Sequence, residues 1–213
     1  MKENIVIWGA SGHALVVADI IRLAGEYEIA GFLDDINLQL HKKEFCGATI
    51  IGGTEQLDTF GEKGIRYLIF GFGDNNARLR LSKMVYEKGL RLATVVHPSA
   101  TIAKSVSVGA GSVICAGAVV NPGSKIGENV IINTSASVDH ECIIGDGVHI
   151  GPGARLGGRV NIGKAAWIGI GATIKDRTIV GAGSIIGAGS TVLEDIPKGV
   201  LAYGAPAKVM KEI

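Results

Sequence analysis

Among the residues able to move a proton, His140 and Glu141 stand together in Ser137-Val-Asp-His-Glu-Cys-Ile143. An imidazole changes charge near neutral pH, so it can take a proton from one group and return it to another. A carboxylate on its other ring nitrogen would orient the ring and raise its basicity. Successive strand residues point to opposite faces, so this pairing requires a corner or a geometry made across subunits. The bland alternative is a solvated His-Glu pair on the surface. A second candidate is Gly9-Ala-Ser-Gly12, placed between an apolar run and a helical pattern. Backbone N–H groups and the helix dipole favour an anion there. The run is only part of a dinucleotide fingerprint, because Val16 stands near where the third glycine would fall. Asp34 and Asp35 follow twenty-odd residues on, where a carboxylate can reach a ribose hydroxyl. A plain strand–helix connection is the other reading of this turn.

These groups need elements to hold them, and the C-terminal half declares its element by repetition. From Ile102 every sixth residue through Val192 is aliphatic, sixteen positions in register. Small or β-branched residues recur four places later (Ser112, Ala118, Ala136, Ala154), and Gly often follows the aliphatic position directly. A period of six fits neither an amphipathic helix nor an alternating strand. It fits a short strand and a turn, with the aliphatic side chain inward on each pass. Gly and Asn supply the turn dihedrals. Three hexads close one triangular coil, so about Ile102 to Pro197 predicts a left-handed parallel β-helix of just over five coils.

Residues 1–98 read differently. Strands are expected at Asn4 to Trp8, Ile29 to Leu33, Ile50 to Gly53 and Arg66 to Gly71. Helices are expected from about Ala14 to Ala24 and from Asn75 to Lys88, the second ending at Gly89. The alternation implies a small Rossmann-like parallel α/β sheet. His97-Pro98 marks the passage to the second domain, 99–213. A domain of this size suits a mononucleotide or nucleotide-sugar better than a dinucleotide.

Composition narrows the partners. The net charge is +1, with 11 basic and 12 acidic groups in residues 1–98 and 10 and 8 in the rest. No basic patch suggests nucleic acid. No apolar run suggests a signal peptide or membrane insertion. Three unpatterned cysteines, Cys46, Cys115 and Cys142, favour a reducing, cytoplasmic setting. Zinc chemistry of the γ-carbonic anhydrase type needs three histidines, and only His140 and His149 lie in the repeats, so no metal is expected.

Taken in order, several short motifs resemble the PglD/NeuD-type sugar acetyltransferases. They are Gly9-Ala-Ser-Gly-His13, Gly31-Phe-Leu-Asp-Asp35, Gly71-Phe-Gly-Asp-Asn75, Val96-His-Pro-Ser-Ala100, Asp139-His-Glu-Cys142 and Gly204-Ala-Pro-Ala-Lys208. The resemblance covers the whole chain. It implies acetyl-CoA as co-substrate and an amino, sometimes hydroxyl, group of a bacterial sugar as acceptor. In the PglD-like branch that acceptor is a nucleotide-linked 4-amino-4,6-dideoxy sugar. It also implies a homotrimer with active sites between subunits.

By the same resemblance His140 is the general base and Glu141 orients it. His149 contacts acetyl-CoA near the thioester, unless it is an exposed turn histidine. Gly158 offers its N–H to the oxyanion, and Ile170 and Ala188 line the pantetheine groove, unless they are ordinary repeat residues. Ser11, Gly12 and His13 meet the phosphate or sugar, Asp34 and Asp35 the nucleotide, and Gly53 the base. Asp74, Asn75 and Arg78 join this set or serve as a helix cap and first turn. Cys142 invites a nucleophile's role, which direct transfer does not require. Two other readings stand beside N-acetylation: O-acetylation of a sialic-acid-type sugar, and a non-catalytic β-helix scaffold.

Overall fold

The computed structural model describes residues 2–213. They form two compact units, the first ending at Pro98 and the second spanning Ser99–Ile213.

The first unit is built on a six-stranded sheet. Its elements are β1 (Glu3–Trp8), α1 (Gly12–Ala24), β2 (Tyr27–Leu33), β3 (Glu44–Phe45), β4 (Ala48–Gly52), β5 (Tyr67–Phe70), α2 (Asn75–Glu87) and β6 (Arg91–Leu92). The strand order is β3-β4-β2-β1-β5-β6. All pairings are parallel except the short β3–β4 hairpin. Parallel strands covered on both faces read as continuous apolar runs, and Ile5, Val6, Ile7, Leu68, Ile69 and Phe70 are wholly buried. On α1, Val17, Ile20 and Ile21 are buried, and the helix stops at Gly25 in the left-handed conformation. The chain leaves β1 toward β2 on one side and returns to β5 on the other. That reversal opens a crevice at the C-terminal ends of these strands.

The second unit is the left-handed parallel β-helix. Sixteen two-residue strands run from Thr101–Ile102 to Thr191–Val192, one in every six residues. Each pairs with the strand eighteen residues away, for example Ser137↔Arg155 and Arg155↔Thr173. Three parallel sheets result. The inward aliphatic residues from Ile114 to Val192 are buried, and Ile102 and Val108 in the first coil are half-buried.

Two kinds of glycine serve the repeat. Those directly after the aliphatic residue lie close under the next coil: a Cβ on Gly109 would fall 2.5 Å from the Gly127 carbonyl carbon. The left-handed dihedrals belong instead to a corner position three residues past the aliphatic one, occupied from Gly111 through Gly189 at every sixth residue. Buried serines tie successive coils together. Ser112 Oγ donates to Gly127 O and accepts from Val130 N. The chain ends in an antiparallel hairpin, Val200–Gly204 with Ala207–Glu212, an element that the hexad count does not predict.

Candidate active site

The corner that follows the strand Ser137–Val138 carries His140 and Glu141. Asp139 anchors it: one carboxylate oxygen accepts from Asn121 Nδ2 at 2.8 Å and from His140 N at 2.7 Å. These two hydrogen bonds, Asn121 the stronger influence, hold the Asp139 carboxyl below the usual range. Ser124, one coil earlier, donates to Asp139 O and accepts from Cys142 N, so the corner is fixed from within.

Glu141 occupies the left-handed corner position, with φ +58°. This turn resolves the difficulty raised by strand alternation, because it swings Glu141 back toward its neighbour. His140 Nδ1 and Glu141 Oε2 are 3.0 Å apart. Arg159 Nε donates to the same oxygen at 2.9 Å, and Arg159 Nη2 lies 2.9 Å from it. Arg159, then His140, holds the Glu141 carboxyl below its ordinary range. An ionised carboxylate only accepts. The His140 Nδ1 facing it is therefore the donor, and in the neutral ring this tautomer leaves the lone pair on Nε2.

Nε2 faces Gly158, one coil on. A Cβ at Gly158 would lie 2.5 Å from His140 Nε2 and 2.8 Å from Cε1, so any larger residue displaces the imidazole. His140 and Gly158 line a cleft of about 640 Å³ with Arg155, Thr173, Lys175 and Arg177. Four basic residues, Arg155, Arg159, Lys175 and Arg177, line it together with Asp139 and Asp176.

The other residues expected on the acetyl-CoA side fall elsewhere. His149 is a strand residue, 6% exposed, its ring centre 4.3 Å from that of Trp167 and tilted 45° to it, with Nε2 3.1 Å from Asn133 Nδ2. It is not an exposed turn histidine. Ile170 and Ala188 are exposed corner residues outside the His140 cleft. Cys142 is buried, its Sγ donates to Gly157 O at 3.2 Å, and burial pushes its thiol above the usual range. A protonated, enclosed thiol is a poor nucleophile.

The first unit holds its own cavity, about 480 Å³, at the crevice predicted by the strand order. Trp8 to Ser11, Asp34 to Asn37, Thr54, Phe72, Asp74 and Arg80 are among the residues that line it. Gly9 adopts φ +122°, and a Cβ there would press on the Gly71 carbonyl at 3.1 Å. Asp34 is buried, and one of its oxygens accepts from Ile36 N at 2.8 Å and Asn37 N at 2.7 Å. Burial pushes its carboxyl up, but these bonds outweigh it and the net shift is downward. Asp35 accepts from Trp8 Nε1 at 2.7 Å and from Thr54 N and Oγ1 at 2.7 and 2.8 Å. Gly53 makes room for this, since a Cβ there would collide with Asp35 Oδ1. Both carboxylates thus shape the loops of the cavity before meeting any ligand.

Gly12, His13 and Gly53 do not line the cavity, although Ser11 does. His13 turns inward, where burial and then the charge of Arg78 push its pKa down to about 4. Arg78 is 1% exposed and grips the loop before α2, donating to Gly73 O at 2.6 Å and Asn75 Oδ1 at 2.9 Å. Asp74 caps α2 by accepting from Ala77 N at 2.8 Å. The cation that reaches the cavity is Arg80, which no motif in the sequence singled out.

Residues 4–85 match the PglD N-terminal domain, and residues 123–158 and 159–194 match the bacterial transferase hexapeptide repeat. Over its whole length the chain superposes on a GDP-perosamine N-acetyl transferase from Caulobacter crescentus. The identity is 36%, the TM-score 0.94, and the match covers 100% of this chain and 99% of that one. The chain belongs to the PglD-type family of sugar acetyltransferases. The Caulobacter structure is of a histidine-to-alanine variant with CoA and GDP-perosamine. A second member of the family, the acetyltransferase domain of PglB from Neisseria gonorrhoeae FA1090, was solved with acetyl coenzyme A. It is 36% identical with TM-score 0.92, over 99% of this chain and 100% of that domain. A curated member, UDP-N-acetylbacillosamine N-acetyltransferase of Bacillus subtilis (strain 168), is 35% identical over 116 residues. That match spans 54% of this chain and about half, 52%, of the relative. Membership makes the chain an acyltransferase enzyme and sets aside the scaffold and carbonic anhydrase readings.

Proposed function

We propose that this enzyme transfers the acetyl group of acetyl-CoA to the 4-amino group of a nucleotide-linked 4-amino-4,6-dideoxy sugar. The observation that carries this reading is the His140 corner, where an oriented imidazole presents Nε2 over Gly158 in a cleft lined by basic residues. In the reaction the unprotonated amine attacks the thioester carbonyl, and the carbonyl π electrons move onto oxygen. His140 Nε2 takes the proton that the nitrogen sheds. Collapse of the tetrahedral intermediate breaks the carbon–sulfur bond, and the imidazolium returns the proton to the departing thiolate. The Gly158 N–H supports the oxyanion, a role in which one backbone donor is worth about 10²–10³ in rate. The basic residues of the cleft suit the phosphates of acetyl-CoA, and His149, Ile170 and Ala188, which lie outside the cleft in one chain, serve it in the assembled form, where sites lie between subunits.

The acceptor's nucleotide occupies the cavity of the first unit, with Ser11 toward the phosphates and Asp34 and Asp35 toward the nucleotide, while Gly12 and Gly53 serve it from behind the lining, Gly53 by leaving room for the Asp35 carboxylate. Arg80 is the cation placed to meet the diphosphate. His13 serves this site as a neutral side chain behind the loop. The working form is a homotrimer with its sites between subunits: the His140 side chain is 49% exposed in one chain, and a neighbour would close the cleft over it. The three free cysteines suit a reducing, cytoplasmic setting. Among the described residues, no helix is long and apolar enough to cross a membrane.

The deciding experiment is a thiol-release assay with acetyl-CoA against UDP-, dTDP- and GDP-linked 4-amino sugars. Acetylation of one of them with the amide at C4 is the expected outcome. Acetylation of only a free or CMP-linked sugar, at a hydroxyl, would overturn the reading.

A further inference from the structure

The hexad corner with left-handed φ recurs from residue 111 to residue 189, and eight of its fourteen occupants are glycine. Long charged side chains hold it at three places only: Glu141 (φ +58°), Arg159 (φ +60°) and Arg177 (φ +60°). These three are eighteen residues apart, so they stack along one edge of the prism, the edge that carries His140. The other two edges place Asn129, Ser135 and Ala165 among their glycines. Non-glycine residues in this conformation are strained, and such strain gathers at functional sites.

Glu141 and Arg159 occupy the same corner one coil apart, and Arg159 N also donates to His140 O at 2.8 Å. Both the Nε and the Nη2 of Arg159 reach the one oxygen, Oε2, that faces His140 Nδ1. All three side chains are about half exposed, at 49%, 53% and 48% for His140, Glu141 and Arg159. Water alone would leave them free to rotate, so the guanidinium is what holds the carboxylate in line.

We propose that Arg159 is a positioning residue for the proton transfer: it pins Glu141 from the next coil, so that the carboxylate fixes the His140 tautomer and its share of negative charge on the imidazole is limited. The inference rests on the reading of His140 as the base. Glu141 alone would favour the imidazolium, which is no base. Arg159 draws on the same oxygen, so the ring stays oriented and still available. Other charges also face His140: Asp139 on its own coil, Arg155 on the next, and Lys175, Asp176 and Arg177 one coil further. None of these is bonded to Oε2.

The test compares the pH dependence of kcat/KM for the wild type with R159Q, R159G, E141Q and R159Q/E141Q. It adds the ¹⁵N spectrum of the histidine ring, assigned with H140N. The acid limb is expected to move to higher pH by about half a unit in R159Q and R159G, the size suited to an exposed ion pair. It moves the opposite way in E141Q, and in the double variant it stays about where E141Q puts it. Without substrates, the wild-type ring shows the Nδ1–H form, and R159Q shows a mixture. R159G keeps the corner dihedral that glycine prefers, so it folds even if R159Q does not. An unchanged acid limb with a raised KM for either substrate would make Arg159 a substrate contact and overturn the proposal. So would an unchanged tautomer. If the wild type acetylates no nucleotide sugar, the functional reading fails, yet the ring spectrum still decides the role of Arg159.

Discussion

The two halves of this chain assign their residues by different rules. In the β-helix each position has an equivalent eighteen residues away, and the coils agree on what belongs there. A residue that breaks the agreement, such as His140 or Glu141, stands out as local specialisation. In the α/β unit no position has an equivalent. There Asp34 and Asp35 look like ligand groups from sequence, yet the structure spends their hydrogen-bonding capacity on the loops around the cavity. Repetition makes function visible by contrast; a unique fold mixes support and contact in the same side chains.

The strongest way to break the contrast is H140A. Loss of a general base at this corner is expected to lower kcat by about 10²–10⁴-fold while the thermal midpoint stays put, because the side chain is half exposed. Wild-type turnover in that variant would remove the corner's special status. Gly158→Ala comes next. Its Cβ must push the imidazole off Nε2's present position, and a misplacement of this order costs about 10² in rate. Repeat logic alone, in which alanine is a common coil residue, anticipates little change, so steady-state kinetics separate the two views.

In the α/β unit the largest expected effect is on stability. His13 has its folded pKa pushed down to about 4, against 6.5 when free. Between those values the unfolded chain binds the extra proton, so stability rises with pH across the window and falls as pH drops from 6.5 toward 4. The upper bound is about 3 kcal/mol. Thermal midpoints measured from pH 7 to pH 4.5 should fall less steeply in H13Q than in the wild type. Equal slopes would show that His13 is not the group responsible. The smallest effect is expected from R80A, a several-fold rise in KM for the nucleotide sugar with KM for acetyl-CoA unchanged. A matching rise for acetyl-CoA would place Arg80 outside acceptor binding.

Legibility followed the same divide. Sixteen aliphatic residues at a fixed interval specify strand, turn and inward face at once, and the β-helix emerged with those strands in that register. The sheet strands and both helices of the first unit were readable from apolar runs and the cap at Gly89, with bounds shifted by a residue or two. The β3–β4 hairpin, β6 and the C-terminal hairpin were not, because two-residue strands and edge pairings carry no periodicity of their own. Among site residues, His140 and Glu141 were visible as an interruption. Arg159 was not, because its part depends on a residue eighteen positions earlier, a distance that no local pattern spans. Arg80 was missed because it sits on an ordinary helix and only the neighbouring loops give it a cavity. The glycines were read as turn formers, and those directly after the aliphatic residues proved to be spacers between coils.

The His140–Gly158 contact has a consequence for how such a chain can vary over time. The two residues face each other because their separation is one full circuit of the prism. An insertion or deletion between them of anything other than whole circuits moves the glycine to another edge. Even a whole added circuit would leave the glycine two coils away, so length between 140 and 158 can change only by loops that leave and re-enter at a single corner. Substitutions at 140 and 158 are bound in the same way: a side chain can be gained at 158 only by a lineage that has already given up the histidine. Sequences in which position 140 is not histidine are where non-glycine residues at 158 should be found.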